Sequence, residues 1–140
     1  MPVHPSGSSP AAVQKSTLEA NKEIVLDFIR KAVNEGDIEA ASVHFGEQYI
    51  QHNPNIADGA DGFKAYVQQL RASFPFVRGE VKRIFAEGDF VMVHMHAKRE
   101  PAEEGLAIVD IFRLDAGRLV EHWEVRQPIE QSKLHANSMI

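Results

Sequence analysis

The sequence predicts an α+β fold, with helices first and an antiparallel meander after them, on two observations. Up to Pro75 the apolar residues recur at helical spacing, and beyond it they alternate. The joints of the second half, "EGD", "EPAEEG" and "DAG", are short and turn-like. Helices that precede a meander cover one face of a curved sheet.

From Thr17 to Asn34, the residues Leu18, Val25, Phe28, Ile29, Ala32 and Val33 keep helical spacing, and Gly36 stops the helix. Asp37 is the expected N-cap of a short second helix holding Ile38, Ala41 and Phe45. In the third helix, Phe63, Tyr66, Val67, Leu70 and Phe74 form one apolar stripe before Pro75 ends it. Strands are predicted over Val77–Ala86, Phe90–Lys98, Leu106–Leu114 and Leu119–Arg126. No repeat or linker divides the 140 residues. They read as one domain, 17–140, behind a flexible arm, 1–16, rich in Pro, Ser, Gly and Ala.

Composition removes several function classes. Without cysteine there is no disulfide, thiolate nucleophile or Cys-ligated metal. A formal charge of −5, with no Lys/Arg cluster, offers no phosphate-neutralising face, so no nucleic-acid partner is expected. No glycine-rich loop opens a helix to cradle phosphate. No apolar run has the length of a membrane-spanning helix, so no membrane partner is expected. The first residues lack the basic leader and apolar stretch of a secretory signal, which makes the cytoplasm the expected location.

Parity along the strands sorts the polar residues. In "FVMVHMHAK", Phe90, Met92, His94 and His96 share a face, with Val91, Val93, Met95 and Ala97 on the other. In "LAIVDIFRL", Asp110 lies in an apolar row with Ile108 and Phe112. In "LVEHWEVRQ", His122 and Glu124 share a face opposite Glu121, Trp123 and Val125. The turns leave the register open. A three-residue "DAG" loop sets Asp110 opposite His122, and a two-residue turn sets it opposite Trp123. On the other side, a six-residue loop brings Met95 to Asp110, and a five-residue loop brings His96. The five-residue loop keeps the polar side chains together and gives a row of His96, Asp110 and His122.

A carboxylate among apolar neighbours, with an imidazole beside it, suits proton abstraction next to a carbonyl. The same residues have plainer readings. Asp110 could pair with Arg113 or Arg118 at the surface, Asn53-Pro54-Asn55 is good turn chemistry, and Trp123 could be a core or interface anchor. His94-x-His96 with Asp110, His122 or His52 would be a loose metal set, and no tight ligand motif such as HExxH appears, so no metal is expected.

The order of elements, with "YIQHNPNIADG", "FVMVHMHA", "IVDIFRLDAGRLVEHWEVRQP" and the tail "HANSMI", resembles the SnoaL-like polyketide cyclase family over about residues 18–140. More narrowly, it resembles the group described as aldol-condensation-catalysing proteins, within the nuclear transport factor 2-like superfamily. The resemblance implies a cone: a strongly bent sheet around a pocket, closed by helices. It implies Asp110 as general acid/base with His96 beside it on the preceding strand. Gln51, His52, Asn53 and His94 would supply polar contacts, and Tyr49, Phe112, His122 and Trp123 would complete the substrate pocket. The implied ligand is a small apolar or aromatic carbonyl compound, undergoing aldol-type closure or isomerisation without metal or organic cofactor. Non-catalytic binding in the same pocket is the alternative. A homodimer is expected from the superfamily and from Val91, Val93, Val109 and Ile111, read as outer-face apolars.

Overall fold

The computed structural model describes residues 10–140, with side chains from residue 17 onward. Helix α1 runs Pro10–Ile29, earlier than the expected start at Thr17, so part of the expected arm is helical, and residues 1–9 lie outside the described residues. It continues into a π-helical turn, Arg30–Asn34. Asp37 caps α2 (Ile38–Ser42), its carboxylate accepting from the Ala40 amide at 3.1 Å. Phe45, expected on that helix, instead opens β1 (Phe45–Gln51). Helix α3 spans Gly59–Ser73 and buries Phe63 and Val67. The meander follows as β2 (Arg78–Glu87), β3 (Phe90–Lys98), β4 (Leu106–Asp115) and β5 (Arg118–Pro128).

The five strands form one mixed sheet in the order β1-β5-β4-β3-β2, with β1 parallel to β5 and the rest antiparallel. The helices lie against one face, which carries the core: Val91, Val93, Met95, Ile108, Phe112, Leu114 and Leu119. Phe28 of α1 ties the layers together, its ring centroid 5.3 Å from Phe45, 5.2 Å from Phe63 and 5.9 Å from Phe112. No described helix is long and apolar enough to cross a membrane.

Two irregularities set which residues face inward. Asp115 pairs with Arg118 across a two-residue turn, with Ala116 at φ 48° and Gly117 at φ 75°, the geometry that matches the twist of a hairpin. The ladder then slips: Leu114 pairs with Leu119 but Arg113 with Glu121, leaving Val120 as a bulge. That extra residue keeps Trp123 off the Asp110 face and puts Glu124 directly opposite Asp110, so neither expected pairing of Asp110 holds. On the other edge, β3–β4 pairing ends at Ala97 and Leu106, so the connection is Lys98–Gly105, longer than either loop considered. Gly105, at φ 89°, closes it where a Cβ would lie 2.3 Å from the Ala97 carbonyl oxygen. Val93 therefore faces Asp110, and β3 presents the face opposite to the expected one.

Candidate functional site

An apolar cavity of about 90 Å³ lies between the helices and the inner sheet face. Phe28, Ile56, Phe63, Val67, Met95 and Ile108 form much of its wall, and Asp110, Phe112, His122, Glu124, Arg126 and Tyr66 bring polar atoms or aromatic edges to it. Asp110 and His122 are buried, 4% and 3% exposed, and the His122 Nε2 lies 2.8 Å from Asp110 Oδ1. The His122 ring packs on Phe112, centroids 4.7 Å apart, and stacks near-parallel to Tyr49 at 6.3 Å.

The surrounding hydrogen bonds fix the state of this pair. The Asn53 backbone N–H donates to Gln51 Oε1 at 2.9 Å, which identifies that atom as the amide oxygen. His122 Nδ1 meets the same oxygen at 2.9 Å and must therefore carry a proton. A neutral His122 then has a bare Nε2, so its bond to Asp110 requires one further proton, shared as Asp110–H···Nε2 or as carboxylate and imidazolium. Gln51 thus acts on His122 from behind, and its own Nε2 is buried without a hydrogen-bond partner. The buried Tyr49 hydroxyl also makes no well-formed hydrogen bond. Burial, then the negative charge of Asp110, raises the Tyr49 pKa well above that of an ordinary tyrosine, against the pull of the nearby Gln51 amide.

Glu124 is the residue that sequence reasoning missed. Its side chain is 9% exposed, and Oε2 accepts from Asn53 Nδ2 at 2.7 Å, from Arg126 Nε at 2.7 Å and from Arg126 Nη2. Desolvation, followed by the charge of Asp110, raises its pKa above the usual glutamate value, with Arg126 opposing. The signal was present in "LVEHWEVRQ", where Glu124 shares parity with His122. Arg126, on the same face, reaches the Tyr66 hydroxyl at 3.4 Å. Asp110, His122 and Glu124 have donor atoms within 4.8 Å of one another, the one described set that could hold a divalent cation.

Several expected site residues lie elsewhere. His94 and His96 point to the outer face, His94 accepting from Arg83 at 2.5 Å and His96 donating to the Glu104 carbonyl at 2.7 Å. The β3–β4 register is the reason: it sets Val93, on the same face as the Met95 of the six-residue loop, opposite Asp110, and His122 rather than His96 is the imidazole on Asp110. Trp123 is also outside, stacked flat on His52 with centroids 4.7 Å apart. His52 Nε2 in turn meets Glu121 at 2.7 Å, and Arg113 holds the other Glu121 oxygen at 2.8 Å. Val91 and Val93, read as outer-face apolars, are both 0% exposed in the core. Gln51, Asn53 and Tyr49 lie behind the cavity wall rather than on it.

The family model for the SnoaL-like domain matches residues 25–122. The chain belongs to the SnoaL-like family. Among solved structures, this SnoaL-like chain is similar to a candidate polyketide cyclase from Acidithiobacillus ferrooxidans, with 27% identity, a TM-score of 0.64, and 76% of this chain and 87% of that one covered. A candidate polyketide cyclase from Bacillus cereus shares the fold at 19% identity and a TM-score of 0.68, covering 89% and 82%. A SnoaL-like protein of unknown function from Burkholderia thailandensis does so at 17% and 0.67, covering 78% and 95%. No curated protein matches the sequence.

Proposed function

We propose that this SnoaL-like chain is an enzyme that abstracts a proton next to a carbonyl of a small ligand, with Asp110 as the base and His122 as its partner. The observation that carries the reading is the buried Asp110–His122 pair opening onto an apolar cavity. Asp110 Oδ1 is engaged by His122, and Oδ2 is left to work on the ligand. An aldol-type ring closure or an isomerisation can follow from the same enol. The candidate cyclase at 27% identity supports that class. A cavity of about 90 Å³ favours a single ring or short chain over a fused polycycle.

Turnover and binding separate this reading from that of a non-catalytic binder. Asp110→Asn should lose about 10²–10⁴-fold in turnover on the ketone or β-keto ester that the wild type accepts, while calorimetry shows binding within a few fold. A wild type that binds such ligands without converting any, and a variant that changes affinity alone, would make it a binder. A homodimer through the outer face is proposed with it, on the exposed Phe85, Phe90, Met92 and Val125. Light scattering showing a monomer at micromolar concentration would remove that part.

A further inference from the structure

The Asp110–His122 pair supplies a base but leaves the carbonyl oxygen of the ligand without an acid. We propose that Glu124 is a second catalytic residue of this cavity: a neutral carboxylic acid that gives its proton to the carbonyl oxygen as Asp110 removes the proton from the adjacent carbon. The inference rests on the reaction class proposed above and names the residue that completes it.

The placement comes first. Glu124 stands directly opposite Asp110 in the β4–β5 ladder, its side chain is almost wholly buried, and it lines the cavity. The donor atoms of Asp110, His122 and Glu124 lie within 4.8 Å of one another. Two carboxylates this close in an apolar site each disfavour the ionised form of the other. Three donors converge on Glu124 Oε2, from Asn53 and twice from Arg126, which leaves Oε1 as the oxygen to carry the proton. One oxygen is anchored and the other is loaded.

The neighbours decide how readily the proton leaves. Arg126 on the same strand is the cation beside Glu124, and His122 faces it from the Asp110 side. Tyr66 of α3 meets Arg126, Tyr49 of β1 lies behind His122, and Arg99 beyond β3 also lines the cavity. Burial and Asp110 raise the Glu124 pKa above the usual glutamate value, and Arg126 and Asn53 are already in position to hold the carboxylate that proton loss creates.

The step balances within the side chains. The C–H electron pair becomes the C=C bond, the proton goes to Asp110 Oδ2, and the carbonyl π pair takes the Glu124 proton. The products are an enol, a neutral Asp110 and a Glu124 carboxylate. Return of a proton from Asp110 to carbon completes exchange or isomerisation. In ring closure, the enol π pair forms the new C–C bond to a second carbonyl, whose oxygen takes the Asp110 proton. In both cases the enol O–H proton returns to Glu124.

Two readouts test it. The Glu124 side-chain carboxyl, identified by its loss in Glu124→Gln, is followed by ¹³C NMR against pH without any ligand. It should titrate above 4.5 in the wild type and move down in Asp110→Asn, where one of the two causes is gone. A wild-type value at or below 4.5 overturns the proposal. Deuterium uptake from D₂O by cyclohexanone and ethyl acetoacetate is then compared among variants. Glu124→Gln should lose at least about tenfold, with part of the rate returning in Glu124→Asp. If Asp110→Asn abolishes uptake but Glu124→Gln keeps the wild-type rate, the acid role falls and the base role stands. If the wild type exchanges nothing on any ketone, the reaction class falls and takes the acid role with it.

Discussion

Gln51→Met replaces an amide with a side chain of similar length that can neither accept nor donate strongly, and its cost can be worked out from the structure. Gln51 Oε1 accepts from the Asn53 N–H and from His122 Nδ1, both part-buried, so the change strands two donors at about 1–3 kcal/mol each. The change also removes the buried, unpartnered Gln51 Nε2, which relieves a penalty of the same size, about 1–3 kcal/mol. Two losses against one relief leave a net destabilisation of about 1–3 kcal/mol. Denaturant unfolding measures it, and ¹⁵N NMR of His122 reports at the same time whether Nδ1 still carries its proton. A variant within about 0.5 kcal/mol of the wild type, with His122 unchanged, would refute the reasoning that Gln51 sets the imidazole.

Phe28→Ala, which empties the meeting point of four aromatic rings, should cost about 3–5 kcal/mol in the same unfolding experiment. Lys31, His44 and Arg30 hold the Asp27 carboxyl well below the usual range, against burial, so the stability it contributes is present above the unfolded-state pKa and lost as pH falls below it. Asp27→Asn should therefore flatten acid unfolding below about pH 4 relative to the wild type. Glu124 has the opposite sign: its raised pKa gives stability that is complete below 4.5 and fades as pH rises through the folded-state value. Stability curves for Glu124→Gln should lack that decline.

The helices and four meander strands were legible because their apolar periods are long and change at Pro75, leaving errors only at the ends. Asp110 could be placed with Phe112, and His122 with Glu124, from parity within their own strands. Relations between strands were not legible, because each depends on an irregularity that the residue pattern does not mark. The bulge at Val120 brought Glu124 opposite Asp110, and the β3–β4 register turned His94 and His96 outward. The odd positions of β3 offered a clue: Val91, Val93 and Met95 are the more apolar set, and they are the ones that became core. Assembling the polar residues on one side gave the opposite choice. The parallel pairing of β1 with β5 joins residues some 70 positions apart, as in the Gln51–His122 contact, beyond the reach of any local pattern.

The most direct test of the account compares deuterium uptake at the α-carbon of one accepted ketone across Asp110→Asn, His122→Phe and His96→Ala. The geometry predicts large losses in the first two and a wild-type rate in the third, since His96 lies on the outer face and donates to the Glu104 carbonyl. Loss of exchange in His96→Ala with retention in His122→Phe would contradict it.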